Sequence, residues 1–244
     1  MFLTIKKKVL VCVVMAIIVV VTTVGVFFCV QATSSKPNLQ KVIVIDAGHG
    51  GRDGGAVGEN SIESELNLQY ALTLQGICNQ FGFNVVMTRD DMAGLYSPLA
   101  SNKKRSEMEK RIEIIQNANP DLVVSIHMNS FSSDEARGSQ VFYGEGKESG
   151  MALAENVQTQ LYNNIEYAKK TAKMGDYYIL NCSPAPSILV ECGFVSNPEE
   201  EQLLLDEDYC QNFCYFIVCG IVSYFGFNWY FTKHDKSLWN LTKK

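Results

Sequence analysis

The chain has 244 residues, 47 % of them hydrophobic, and a formal net charge of −5. That acidity is modest and unclustered, and no basic stripe is interleaved with aromatic residues, which argues against nucleic acid as a partner. Setting aside a membrane segment leaves roughly 210 residues, enough for one large α/β domain with a full core.

The first organisational signal is at the N-terminus. Lys6, Lys7 and Lys8 precede an uncharged run from Val9 to Val30, long enough to span a bilayer. Lysines at its N-terminal end hold that end in the cytoplasm, so the rest of the chain is expected outside. The alternative is a secretory signal cleaved near Val30-Gln31-Ala32, although such apolar regions usually run only about 7–15 residues. Cys29 follows Phe28 rather than a small residue, which argues against lipidation. The expected organisation is a basic cytoplasmic segment (1–8), a transmembrane anchor or signal segment (9–30), a polar tether (31–40), a catalytic domain (41–231) and a polar tail (232–244).

From residue 41, strands and helices alternate. "KVIVI" reads as a buried strand and opens into the glycine-rich loop "DAGHGGRDGGAVGEN". "ESELNLQYALTLQGICNQF" reads as a helix with Leu66, Tyr70, Leu74 and Ile77 on one face. "FNVVMTR" is a second strand. "KRSEMEKRIEIIQNAN" is a helix that Asn119-Pro120 ends. "DLVVSIH" and "GSQVFYG" are the third and fourth strands, and "MALAENVQTQLYNNI" is a helix. After the strand "SILVE", Asn197, Pro198 and Glu200 read as N-cap, first helical residue and third position of a capping box. The last apolar helix, about 209–225, is expected in the core because Gln211, Asn212 and Ser223 interrupt it and acids precede it. This alternation predicts a mostly parallel sheet with helices on both faces.

The eight cysteines show no C-x-x-C pair. They are expected to be free thiols, with Cys78, Cys182 and Cys192 scattered and Cys210, Cys214 and Cys219 packing inside the last helix.

Chemistry is expected where strands end, because parallel sheets build sites at their carboxyl edge. His49 follows the first strand, His127 ends the third and Glu191 ends "SILVE". Glu63 opens the helix after the glycine loop and can reach the same edge. Two imidazoles and a carboxylate suit a catalytic zinc site with an open position, and a further carboxylate can take a proton from water. Each residue also has a plainer reading. His49 can be a loop histidine and His127 a core histidine. Glu63 can pair with Asn60 in a capping box, and Glu191 can bridge to Arg89 or Arg111. Asp46 either orients a ligand or caps a turn. The third histidine, His234, is expected at the surface. A phosphate cradle is disfavoured, because "GHGGRDGGAVG" lacks both the Lys-Ser/Thr ending and the third glycine of the dinucleotide motif.

These motifs resemble those of zinc-dependent N-acetylmuramoyl-L-alanine amidases. The likeness runs through "VIVIDAGHGGRDGGAVG", "ESELNLQYAL", "VVMTRDD", "KRIEIIQNANPDLVVSIHMNS", "GSQVFY" and "SILVECGFVSNPEEEQLL", nearly the whole of the expected domain. The resemblance implies a mixed, mainly parallel twisted sheet, Zn2+ held by His49, Glu63 and His127, and a catalytic role for Glu191. It further implies that the glycines around His49 admit a bulky glycan–peptide strand. The helix opens Glu63-Ser64-Glu65 where the family has Glu-Lys-Asp, so Glu65 competes with Glu63 as ligand. With no wall-binding repeat, the chain resembles the membrane-anchored members that act on spore-cortex peptidoglycan and lead to muramic lactam. Its expected partners are peptidoglycan and the membrane, and the sequence says nothing of an accessory protein. A zinc carboxypeptidase acting on the stem peptide, which needs a cationic pocket, and an inactive wall-binding scaffold are the alternatives.

Overall fold

The run that opens the domain forms β1 (Val42–Ala47), and its position explains its composition. In the computed structural model β1 has parallel neighbours on both sides, β2 (Asn84–Met87) and β3 (Leu122–Asn129). A strand covered on both faces is apolar throughout rather than alternating, and Ile43, Val44 and Ile45 are fully buried. The sheet has six strands in the order β2-β1-β3-β6-β4-β5. β6 (Ser187–Phe194) is parallel to β3, whereas β4 (Gln140–Tyr143) runs antiparallel to β6. The short β5 (Lys173–Met174), which is too brief to carry a hydrophobic pattern, pairs parallel with β4. The sheet is therefore mixed and mainly parallel. The structure describes residues 41–227 together with residues 15, 16 and 18–20, which are helical. The rest of the expected membrane segment and tether, and His234 in the tail, lie outside the described residues.

Helices cover both faces. α1 (Glu63–Gln80) and α3 (Glu148–Asn164) each pack against α5 (Glu207–Tyr224) on one side. On the other, Ile115 of α2 (Lys103–Ala118) joins Val44, Val123 and Leu189, with Ile179 and Leu180 of a 3₁₀ turn completing the layer. α2 begins at an N-cap, Asn102, whose side chain accepts from Arg105 N–H, and ends at Asn119 in the left-handed conformation. α5 buries Phe213, Ile217, Val218 and Ile221, and among the described residues no helix is long and apolar enough to cross a membrane. The last apolar helix thus belongs to the core. Cys78, Cys192, Cys210, Cys214 and Cys219 are buried free thiols, and Cys182 is free and partly exposed.

Two local expectations need correction. The strands that carry His127 and Glu191 do not stop there, since β3 runs on to Asn129 and β6 to Phe194. Pairing continues across a bulge that follows His127, a distortion common beside functional sites. At α4 (Pro198–Leu205), Asn197 does accept from Glu200 N–H at 3.0 Å. The Glu200 carboxylate, however, does not return to Asn197. It is buried and accepts from Gly138 N–H and Phe194 N–H, all at 2.9 Å. Only half of the capping box forms, and the other half ties the end of β6 to the loop before β4.

Candidate metal centre

Sheet register brings the site residues together. His127 of β3 stands beside Glu191 of β6, and Asp46 of β1 beside Ser125 of β3. Alternation along each strand puts Asp46, Ser125, His127 and Glu191 on the face that α2 covers. His49 lies two residues past β1, at φ +59°, a left-handed conformation uncommon for a residue with a side chain. Gly48 N–H donates to Ile126 O at 3.0 Å, so the loop leaves the sheet alongside β3.

The three residues converge on one carboxylate oxygen. Glu63 Oε1 is 3.1 Å from His49 Nε2 and 3.0 Å from His127 Nδ1. The two imidazoles meet edge to face with centroids 5.1 Å apart. One ligand atom from each of the three residues lies within 4.8 Å of the others. Glu65, the rival carboxylate, is exposed on α1 and outside this cluster. The second oxygen, Glu63 Oε2, accepts from Ala56 N–H at 2.7 Å. That bond replaces the anticipated cap: the residue before the helix is Ile62, and Asn60 N–H donates to Glu201 instead.

Glycines make this convergence possible. A methyl group at Gly48 would overlap the His127 ring, and one at Gly55 would collide with Glu63 Oε2 and His49 Cδ2. Gly55 also has φ +68°, where a side chain is strained in any case. The loop's lack of side chains therefore makes room for the cluster's own residues. The expectation that the glycines serve substrate approach describes at most part of their role.

Two buried arginines hold the loop, and neither is the partner of Glu191 suggested as an alternative. Arg89 donates to the carbonyl oxygens of Ala47, Gly48 and Ser64. Arg111 donates to Asp46 Oδ1, to the carbonyls of Ala47 and His49, and to Glu107. Asp46 also accepts from Thr88 and Ser125 at 2.8 and 2.6 Å. Burial alone would raise its carboxyl pKa, but Arg111 and these hydroxyls hold it below the usual value. Asp46 thus positions the His49 loop through Arg111 and caps no turn. His49 Nδ1 lies at ion-pair distance, 2.9 Å, from Asp53 Oδ2, an arrangement that orients Nε2 toward Glu63.

The electrostatics suit a cation. Burial disfavours charge on His49, yet Glu63 and Asp53 raise its pKa to about 9. Burial likewise works against ionised Glu63, but hydrogen bonds with His127 and His49 hold its carboxyl well below the usual range. Glu191 behaves in the opposite way. Burial, with Glu63 adding repulsion, pushes it up to about 7 despite the two histidines. It is 8 % exposed, and among the described residues its Oε2 has no hydrogen-bond partner. A buried carboxylate oxygen without a partner is costly, and functional sites are where such costs are retained.

Glu201 was not anticipated. It is buried on α4, and its Oε1 accepts from Ser61 Oγ at 2.6 Å and from Asn60 N–H at 2.8 Å. It fixes the turn that delivers Glu63. Glu201→Ala leaves both donors unpaired and is expected to cost about 2–3 kcal/mol. A thermal melt should show this as a fall of roughly 5–10 °C; an unchanged melting temperature would exclude the tether.

Comparison with known proteins shows the family. The N-acetylmuramoyl-L-alanine amidase family profile matches residues 43–223. The germination-specific N-acetylmuramoyl-L-alanine amidase of Bacillus subtilis is 33 % identical over 195 residues, 78 % of this chain and 82 % of its own length. The CwlD amidase from Clostridioides difficile, solved in complex with the GerS lipoprotein, superposes with a TM-score of 0.73 at 34 % identity, covering 76 % of this chain and 98 % of that one. The catalytic domain of the CwlV amidase from Bacillus (Paenibacillus) polymyxa gives a TM-score of 0.68 at 30 % identity, over 76 % and 98 % of the two chains. The match spans every strand and helix that positions the cluster, and the chain belongs to the N-acetylmuramoyl-L-alanine amidase family, enzymes that hydrolyse the amide between the lactyl group of muramic acid and L-alanine.

Proposed function

We propose that the amidase is a zinc enzyme in which His49, Glu63 and His127 hold the metal and Glu191 transfers the proton. The observation that carries this reading is the meeting of three ligand atoms within 4.8 Å beside a buried carboxylate oxygen that has no hydrogen-bond partner among the described residues. Two imidazoles and one carboxylate are a donor set suited to a catalytic zinc with a free position. Zinc bound there supplies a Lewis acid for the amide carbonyl and acidifies water.

The chain's own residues do the rest. Asp53, 2.9 Å from His49 Nδ1, holds that side of the ring electrostatically and leaves Nε2 facing Glu63. Arg111 and Arg89 fix the backbone on either side of Gly48, so the two histidines keep their spacing. Glu191 takes a proton from the attacking water and returns it to the departing nitrogen of L-alanine. Burial raises its pKa above the usual carboxylate value, the direction a general acid–base group needs, and a dication nearby would offset part of that rise. Incubating the protein with peptidoglycan tests the reading. New N-terminal L-alanine is expected; release of a free C-terminal amino acid would mean a carboxypeptidase, and no product at all a scaffold.

We further infer action on spore-cortex peptidoglycan, supported by the 33 % identity to the germination-specific relative. Muropeptides from a deletion strain should then lack muramic lactam, and a normal lactam content would refute the role. By analogy with the lipoprotein complex of the structural neighbour, an accessory lipoprotein is proposed, testable by co-purification. The catalytic domain is placed outside the cytoplasm on an anchor at residues 9–30. That placement rests on the lysines and apolar run alone, and fractionation should find the uncleaved chain in the membrane rather than a shortened form in the medium.

A further inference from the structure

A cavity of about 690 Å³ opens beside the cluster. Gly48, His49 and His127 line one part of it, and Arg52, Lys103 and Lys104 another. The lining carries four cations, the fourth being Arg111, and four acids, Asp46, Asp53, Glu107 and Asp176, so what matters is which cations are already paired.

The four are not equivalent. Lys103 is already engaged: its Nζ bonds the carbonyls of Ser97 and Pro98 and lies 5.3 Å from the centre of the Tyr96 ring. Arg52 and Lys104 are exposed, and among the described residues neither forms an ion pair with an acid. Deeper in the lining, Arg111 is matched by Asp46 and Glu107. Asp176 is the cavity's one acid without such a partner among its described lining residues. Asp53 connects both free cations to the cluster. Arg52 precedes Asp53, which touches His49, and Lys104 lies within the electrostatic reach of Asp53.

We propose that Arg52 and Lys104 form a carboxylate-binding subsite in the cavity that His49 and His127 also line, and that it reads the free α-carboxylate of the second stem residue. The inference rests on the amidase activity. In a muramyl peptide the L-alanine that departs is followed by a γ-linked D-glutamate. Its α-carboxylate is one residue beyond the scissile nitrogen, about 7 Å at most in an extended chain. Two exposed, unpaired cations in the lining that the two histidines share suit a carboxylate of the bound peptide, and guanidinium can grip it with two parallel hydrogen bonds. The carboxypeptidase alternative asks for a cationic pocket too, so the charge alone does not separate the two. The position of the carboxylate along the peptide does.

Two muramyl-peptide glycan fragments, identical except that the second stem residue is D-glutamate or D-isoglutamine, provide the test with the full-length protein. Wild type is expected to show a lower KM for the free acid at similar kcat. Arg52→Gln/Lys104→Gln should raise KM for the acid about fivefold, the scale of exposed charge pairs, with little change for the amide. Equal KM values in wild type, or equal losses on both substrates in the variant, would overturn the proposal while leaving the amidase reading intact. The dipeptide L-alanyl-γ-D-glutamate, titrated calorimetrically into wild type and variant, needs no turnover. Weaker binding to the variant is expected, and equal binding overturns the subsite. If wild type releases only C-terminal amino acids, the amidase reading fails, and the dipeptide titration still decides the subsite.

Discussion

Glu191→Gln is expected to lower kcat by at least ~10²–10⁴, the usual contribution of a positioned acid–base group, with zinc content unchanged. Glutamine keeps the shape of the side chain and cannot accept the proton. The structural role that would complicate this result is absent, because Arg89 and Arg111 are both committed to the loop and Glu191 Oε2 has no partner among the described residues. The variant should even be the more stable of the two when metal is removed. The folded pKa of about 7 exceeds the unfolded glutamate value of about 4.3. Wild-type stability therefore falls as pH rises from about 4.3 to about 7, by on the order of 3 kcal/mol once the group is fully ionised. Glutamine has no such dependence. Melts of chelator-treated proteins at pH 5 and pH 8 should give the variant its advantage at pH 8 only. A variant that melts earlier than wild type at both values would show that Glu191 supports the fold. One that keeps substantial activity would remove it from the mechanism.

Much of this architecture is legible in the residues, and the parts that are not have a common cause. Long patterned segments declare themselves: the helix at 63–80 carries its period over 18 residues, and β1 and β3 are buried apolar runs of six and eight residues. The convergence of His49, His127 and Glu191 follows from counting strand ends, since a parallel sheet brings those ends to one edge. What the sequence hides is long-range hydrogen bonding. Glu63 and Glu200 each stand where a capping box would use them, and tertiary partners claim both carboxylates. Glu201 reaches back 140 residues to Ser61, a pairing without any local signature. The glycines mislead in a related way. Openness in the chain suggests openness to substrate, whereas Gly48 and Gly55 are filled by His127 and Glu63. Reversal of β4 and addition of β5 at the sheet edge are equally silent, because four residues and two residues carry too little pattern to fix a direction.

His49→Ala and His127→Ala should each abolish stable zinc binding. The metal needs all three donors, and each histidine contributes one nitrogen to a cluster only 4.8 Å across. Zinc bound to the folded protein alone stabilises it by mass action, about 2.7 kcal/mol when free zinc is a hundredfold above Kd. For a domain of this size that is a rise of roughly 5–11 °C in melting temperature. Wild type should show the rise, and neither histidine variant should. Glutamine at position 63, beside alanine at position 65, tests the choice of carboxylate. Glu63→Gln keeps an oxygen for Ala56 N–H, which a truncation would strand, yet withdraws the negative charge that the two imidazoles face. Zinc affinity should fall by well over tenfold, and the metal-free protein should melt several degrees lower, because the histidine contacts that hold the Glu63 carboxyl ionised are lost. Glu65→Ala, on the exposed side of α1, should bind zinc like wild type. The opposite pattern, metal lost with Glu65→Ala and kept with Glu63→Gln, would assign the ligand to Glu65. Near-full zinc occupancy in both histidine variants would dissolve the centre altogether, because no other group of three histidine, cysteine or acidic residues among those described offers its atoms at this spacing.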